Sequence, residues 1–193
     1  AIGDKAGDVN QNDYGIAVGK DAGYKTQDTN SIAIGTMAGK TDQSFNSVAI
    51  GYLAGETNQA YSSIAIGDEA GKNQQGHVSI AMGWQAGMTG QTINSLAIGL
   101  RAGHLNQGRK DGEYGPGSAL AIGYDAGYNN QAYNSIAMGL EAGYNNQRHT
   151  SIAIGYQSGY TSQARNCLAI GLRAGMTAQS DNCIAVGFDA GKT

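Results

Sequence analysis

The sequence predicts an all-β fold, a β-solenoid in the form of a parallel β-roll with coils of 16 residues, and three observations predict it. The first is self-similarity. Ala-[Ile/Val/Met]-Gly begins at Ala1, Ala17, Ala33, Ala49, Ala65, Ala81 and Ala97, then at Ala121, Ala137, Ala153, Ala169 and Ala185, a spacing of 16 except for the 24 between Ala97 and Ala121. A fixed short period outranks any local propensity as a sign of fold. The second is composition: 31 Gly, a single Pro and 14% charged residues depart from globular usage. The glycines lack the G-X-Y period of collagen, and the apolar residues are periodic, which fits disorder poorly. The third is the alternation in Ser-Ile-Ala-Ile-Gly, which reads as a strand. Glycine recurring every few residues, at about 1 kcal/mol each in a helix interior, excludes a helix.

With positions counted from each of these alanines, the unit is A-[IVM]-G-x-x-A-G-x-x-x-Q-x-x-N-[SC]-[IVL]. Positions 16 and 2, such as Ile32 and Ile34, fall on one face of the first strand, and Ser31, Ala33 and Gly35 on the other. The β-branched face is expected to be buried, and the bare Ser/Ala/Gly face to admit another chain at close range. Positions 4 to 8, with Ala-Gly between variable residues, are expected to hold the second strand. Positions 9 to 14, rich in Asn, Thr, Ser, Asp and Gly, read as a turn. Each unit is then one coil of two short strands and two bends. One coil buries too little apolar surface to offset the entropy of ordering it, so neighbours must stack, about 4.8 Å apart. Twelve coils would form a rod roughly 55 Å long.

Gln at position 11 occurs in every unit that reaches it, Gln27, Gln43, Gln59, Gln131 and Gln147 among them. Together with the position 14 residues Asn30, Asn46, Asn94, Asn134, Asn166 and Asn182, these glutamines are expected to stack as amide ladders. Residues 1–193 read as a single repeat array with one insertion, at 108–119. The pattern starts and stops within a unit and has no capping repeat, so a piece of a longer chain is expected.

Charge and motifs narrow the function classes. A net charge of −3, with no Lys/Arg cluster beyond Arg109 and Lys110, gives no reason to expect nucleic acid. No apolar run approaches the ~20 residues that span a bilayer, so no membrane insertion of this segment is expected, and no stretch reads as a signal peptide. His77, His104 and His149 lie in separate coils without metal-ligand spacing, so neither a metal nor any other cofactor is expected. The nonapeptide calcium repeat is missing as well. No Ser/His/Asp grouping or phosphate-binding loop stands out, and a non-catalytic chain is expected. Asp125, Glu141 and Asp189 recur at position 5, but Arg101, Gln157 and Arg173 share it, which reads as a solvated edge of mixed sign. Cys167 and Cys183 replace Ser in adjacent units and are expected to be small buried thiols.

Two ladders and one loop are the candidate binding features. Position 4 becomes continuously large and apolar in Trp84, Leu100, Tyr124, Leu140, Tyr156, Leu172 and Phe188, and position 8 adds Tyr128, Tyr144 and Tyr160. Such ladders stack on sugar rings or pack between chains, and the mixing of Leu with aromatic residues favours packing. The insertion carries Arg109, Lys110, Asp111, Glu113 and Tyr114, positioned to meet a receptor if it projects. A position 9 threonine set, Thr41, Thr57, Thr89, Thr161 and Thr177, is interrupted by Lys25, Asn73, Leu105, Asn129 and Asn145.

At NSVAIG (Asn46 to Gly51), NSIAIG (Asn30 to Gly35), NSLAIG (Asn94 to Gly99) and NSIAMG (Asn134 to Gly139), the chain resembles the YadA-like head repeats of trimeric autotransporter adhesins and related repeats in phage and large-virus fibres. The resemblance covers all but Gly108 to Ala119. It implies a left-handed β-roll, a homotrimer, an extracellular place on a cell or virion surface, and adhesion to a host glycan or surface protein. The unit here is longer than the usual head repeat, and its A-G-x-x-x-Q segment replaces a second small-residue and Ser pattern. The expected function is a structural or adhesive fibre segment; the alternative is a stand-alone solenoid binding a polysaccharide or ice.

Overall fold

The computed structural model describes residues 1–109 and 117–192. They form an all-β parallel solenoid whose coils stack in register. Positions 16, 1 and 2 of successive units pair into one sheet of 11 strands, running from Ile16–Val18 to Ile184–Val186. Like residues meet like throughout: Ile32 pairs with Val48, Ala33 with Ala49 and Ile34 with Ile50. The long unit rejoins the stack without a slip, Leu96 on Leu120 and Ala97 on Ala121.

The second sheet lies across the interior, and its place corrects the sequence reading. Its strands are positions 9 to 11, five of them from Val9–Gln11 to Asn73–Gln75. Single parallel bridges continue the column, Asn73 to Thr89, Leu105, Asn129, Asn145 and Thr161. Positions 4 to 8, expected to be the strand, instead form a turn. Positions 5 and 7 both sit in the left-handed region, as at Asp21 (φ 54°) and Gly23 (φ 53°), which an extended strand cannot accommodate. Positions 10 and 14 share that conformation, and Asn58 (φ 56°) and Asn46 (φ 57°) illustrate why Asn is frequent there.

The faces are also reversed from expectation. Ala at positions 1 and 6 and Ser at position 15 are buried, whereas the Ile, Val, Leu and Met of positions 16 and 2 lie on the outer surface, partly or well exposed. The interior is too shallow for branched side chains: a methyl added to Gly71 would stand 3.2 Å from Ala65 Cβ on the opposite wall. Ala clusters therefore form the apolar core.

The longest fully buried side chains are the position 11 glutamines. Gln59 Nε2 donates to the Val48 carbonyl at 2.7 Å, and to Gln75 Oε1 in the next coil at 3.2 Å. The ladder runs unbroken from Gln43 to Gln131, with shorter pieces at Gln11–Gln27 and Gln147–Gln163. Position 14 stacks in part, as in Asn30 on Asn46 at 3.3 Å and Asn166 on Asn182 at 3.0 Å.

Candidate functional site

Three exterior surfaces follow from this inversion. The first is apolar. Positions 16 and 2 form two side-by-side columns along the long sheet, with Ile16 at 47% and Ile98 at 37% exposure. At a coil spacing of about 4.8 Å and a same-face repeat of about 6.7 Å, two columns over eleven strands cover on the order of 700 Å². That exceeds the roughly 300–600 Å² of the largest patch on a typical monomer. Position 4 follows on beside them, with Trp84, Tyr124, Leu140, Tyr156, Leu172 and Phe188 all exposed, and Tyr52 added at the start. Leu100, the remaining member, is half-buried.

Position 8 behaves differently. His104, Tyr128, Tyr144 and Tyr160 form one stack, with ring centroids 4.9, 4.9 and 5.0 Å apart. Its rings are half-buried or better because position 5 packs alongside, and the Arg101 guanidinium stands 5.3 Å from the Tyr128 centroid. Position 5 is accordingly not the solvated edge that mixed signs suggest. Arg101 pairs with Asp125 at 2.6 Å, Gln157 donates to Glu141 at 2.8 Å, and Arg173 pairs with Asp189 at 2.8 Å, so opposite or neutral partners alternate along the axis. Asp125 is only 3% exposed; burial pushes its carboxyl above the ordinary value against the opposing pull of Arg101. Burial likewise lowers the His104 imidazole, partly offset by its contact with the Gln85 carbonyl.

The third surface is a groove along the column of single bridges that continues the short sheet. Over coils seven to eleven it encloses about 530 Å³ and is lined by position 10 residues Asn106, Asn130 and Asn146 and by Arg109 and Arg148. The asparagines form their own amide ladder, Asn106 donating to Asn130 at 3.0 Å and Asn130 to Asn146 at 3.1 Å. Tyr133 and His149 stack at 4.9 Å at position 13 of the same coils. An earlier stack at that position joins Phe45, Tyr61 and His77. The position 13 rings escaped the sequence reading, although aromatic recurrence at 16-residue spacing was there to find them.

Of the predicted loop residues, Arg109 is described: it bridges to Ala132, and its guanidinium lies against Gly90. Lys110, Asp111, Glu113 and Tyr114 lie outside the described residues. Cys167 is buried, its thiol raised by burial, Cys183 is half-buried, and both are free. Among the described residues no three His, Cys, Asp or Glu side chains converge on a metal-sized site, and no helix is long and apolar enough to cross a membrane. Comparison with family models, with curated proteins and with solved structures finds no match for this chain.

Proposed function

We propose that this chain is a structural and adhesive fibre segment, a rigid non-catalytic β-roll that associates with copies of itself on a cell or virion surface. One observation carries the reading: an apolar face that continues coil after coil along the long sheet, with position 4 extending it from Trp84 onward. Water-exposed Ile and Leu at this density mark an association surface, and a repetitive face suits an identical repetitive partner best, because it matches at every coil. Three copies around an axis parallel to the rod would enclose the face. That arrangement, and a left-handed roll, are what the resemblance to YadA-like head repeats leads one to expect. Of the two seams that the sequence suggests, the bare Ala/Ser face is turned inward, so on this reading the Ile columns and the position 4 ladder form the seam.

Light scattering coupled to size exclusion tests this. The expected mass is three times the 19.8 kDa chain. A monomer at all concentrations would overturn the self-association and favour a stand-alone binding solenoid. Within that second reading ice is a poor target, because the position 9 column places Lys25, Leu105 and three asparagines among its threonines.

A further inference from the structure

We infer that Cys167 and Cys183 are a disulfide site, a covalent latch between coils ten and eleven that closes by exchange with a small disulfide such as oxidised glutathione. The inference goes beyond the fibre reading and does not depend on it. The repeat places the pair, since the two cysteines of the chain both occupy position 15, in adjacent coils. The stack then holds them level from either side. The Arg165 backbone N–H donates to the Asp181 carboxylate and Asn166 Nδ2 to Asn182 Oδ1, each at 3.0 Å, and just beyond the pair Leu168 is in register with Ile184. Residues stacked at the coil spacing of about 4.8 Å have Cα atoms within the range that disulfides span. Closing the bond asks the two Cβ atoms to approach by roughly 0.3–1 Å.

The thiols depart from the pattern of their position. In coils two to five, eight and nine, the position 15 serine donates its hydroxyl to the position 12 carbonyl of its own coil, as Ser47 does to Ser44 at 2.6 Å. Cys167 leans out of its own turn, its thiol donating to the Ser180 carbonyl of coil eleven at 3.0 Å. It is thereby aimed at the coil that carries Cys183, whose side chain interacts with it directly. The same joint lacks the interior tie found at most others: the glutamine ladder stops at Gln163, and Gln179 Oε1 has no hydrogen-bond partner. A disulfide would supply a tie there. Cys167 is 2% exposed and burial pushes its thiol above the ordinary value, whereas Cys183 is half-buried, so exchange starts at Cys183. Cys183 gives up its proton and its Sγ attacks one sulfur of the small disulfide, whose S–S bond breaks as one small thiol leaves with a proton. Cys167 Sγ, deprotonated in turn, attacks Cys183 Sγ, and the second small thiol leaves in the same way. Two protein thiols are oxidised by two electrons, and one small disulfide is reduced to two thiols.

Incubation of the reduced chain with oxidised glutathione, followed by thiol counting and peptide mass mapping in denaturant, tests the site. The count is expected to fall from two thiols per chain to none, with the Cys167 and Cys183 peptides joined and no glutathione retained. Denaturing electrophoresis without reductant is expected to show a single-chain band. The oxidised chain should melt several degrees above the reduced one, and dithiothreitol should remove the gain. Cys183→Ser, which restores the residue of the other coils, should melt alike with either reagent. The two redox forms of the parent chain carry the test even if that variant folds poorly. Two thiols that persist, a mixed disulfide that stays on Cys183, a disulfide between two chains, or a closed bond that leaves melting unchanged would each overturn the inference. None of these results bears on the mass by light scattering, so failure here and failure of the fibre reading are separable.

Discussion

At the scale of the residue, the chain solves an unusual problem with glutamine. An interior one methyl deep rejects Leu and Ile, yet the inner wall still presents backbone carbonyls that need donors. The flat amide of Gln59 meets both demands: it donates to the Val48 carbonyl and to Gln75, and accepts from Gln43. Replacing it with methionine keeps the length without a branch at Cγ but strands these partners without water, so Gln59→Met is expected to cost about 2–4 kcal/mol. Asn58→Asp, on the outside next to it and equally tolerant of the left-handed backbone, should fall within about 0.5 kcal/mol. The shift in urea midpoint measures both, and equal shifts would show that the amide ladder contributes nothing special. These positions were legible in the sequence, because a residue repeated at every coil without exception must meet a backbone or interior constraint. The direction of the strand faces was not. Alternation shows that Ile32 and Ala33 point opposite ways, but only the depth of the interior decides which one enters it, and that depth is set by left-handed corners at positions 5, 7, 10 and 14 that the sequence does not spell out.

At the scale of the element, columns matter more than strands. The position 8 stack begins with His104 and continues through three tyrosines, and its imidazole is kept below the ordinary histidine value of 6.5, first by burial. A group whose folded value is depressed contributes fully above its unfolded value and loses that contribution as pH falls through the folded one. His104 therefore predicts a loss of stability that begins as pH drops below about 6.5. Glu69, lowered mainly by its bond from Lys72, contributes fully above 4.5, and its loss comes only in more acid solution. His104→Tyr would extend the ring stack by one more tyrosine and remove the titration. Thermal melting by circular dichroism at about pH 7 and about pH 5 should show a Tm decrease of several degrees for the parent chain and a smaller one for the variant. An undiminished decrease would place the acid sensitivity elsewhere. The sequence reading found Tyr128, Tyr144 and Tyr160 but not the histidine that leads them, since an isolated His is read for metal before it is read as a ring.

At the scale of the whole molecule, the proposed self-association rests on the apolar face of the long sheet. The Ile columns are uniform, so they carry no information about where along the rod a partner sits, and an identical rod is the partner that uses all of them. Lysines in the middle of the apolar face test that proposal. Ile98 and Leu140 are already 37% and 41% exposed in the single chain, and neither contributes to the Ala and Gln interior. Ile98→Lys and Leu140→Lys should therefore leave the coil intact, the lysine stem lying along the neighbouring apolar column with its ammonium in water. In an oligomer, however, each copy would bring a charge to the shared axis, where desolvation and mutual repulsion oppose association. The double variant is expected to run at the monomer mass with a far-ultraviolet spectrum like that of the parent. A double variant that still assembled would remove the Ile face as the seam. One that lost the β spectrum would mean that the coil depends on association for its own stability, as a thin, alanine-filled solenoid has reason to.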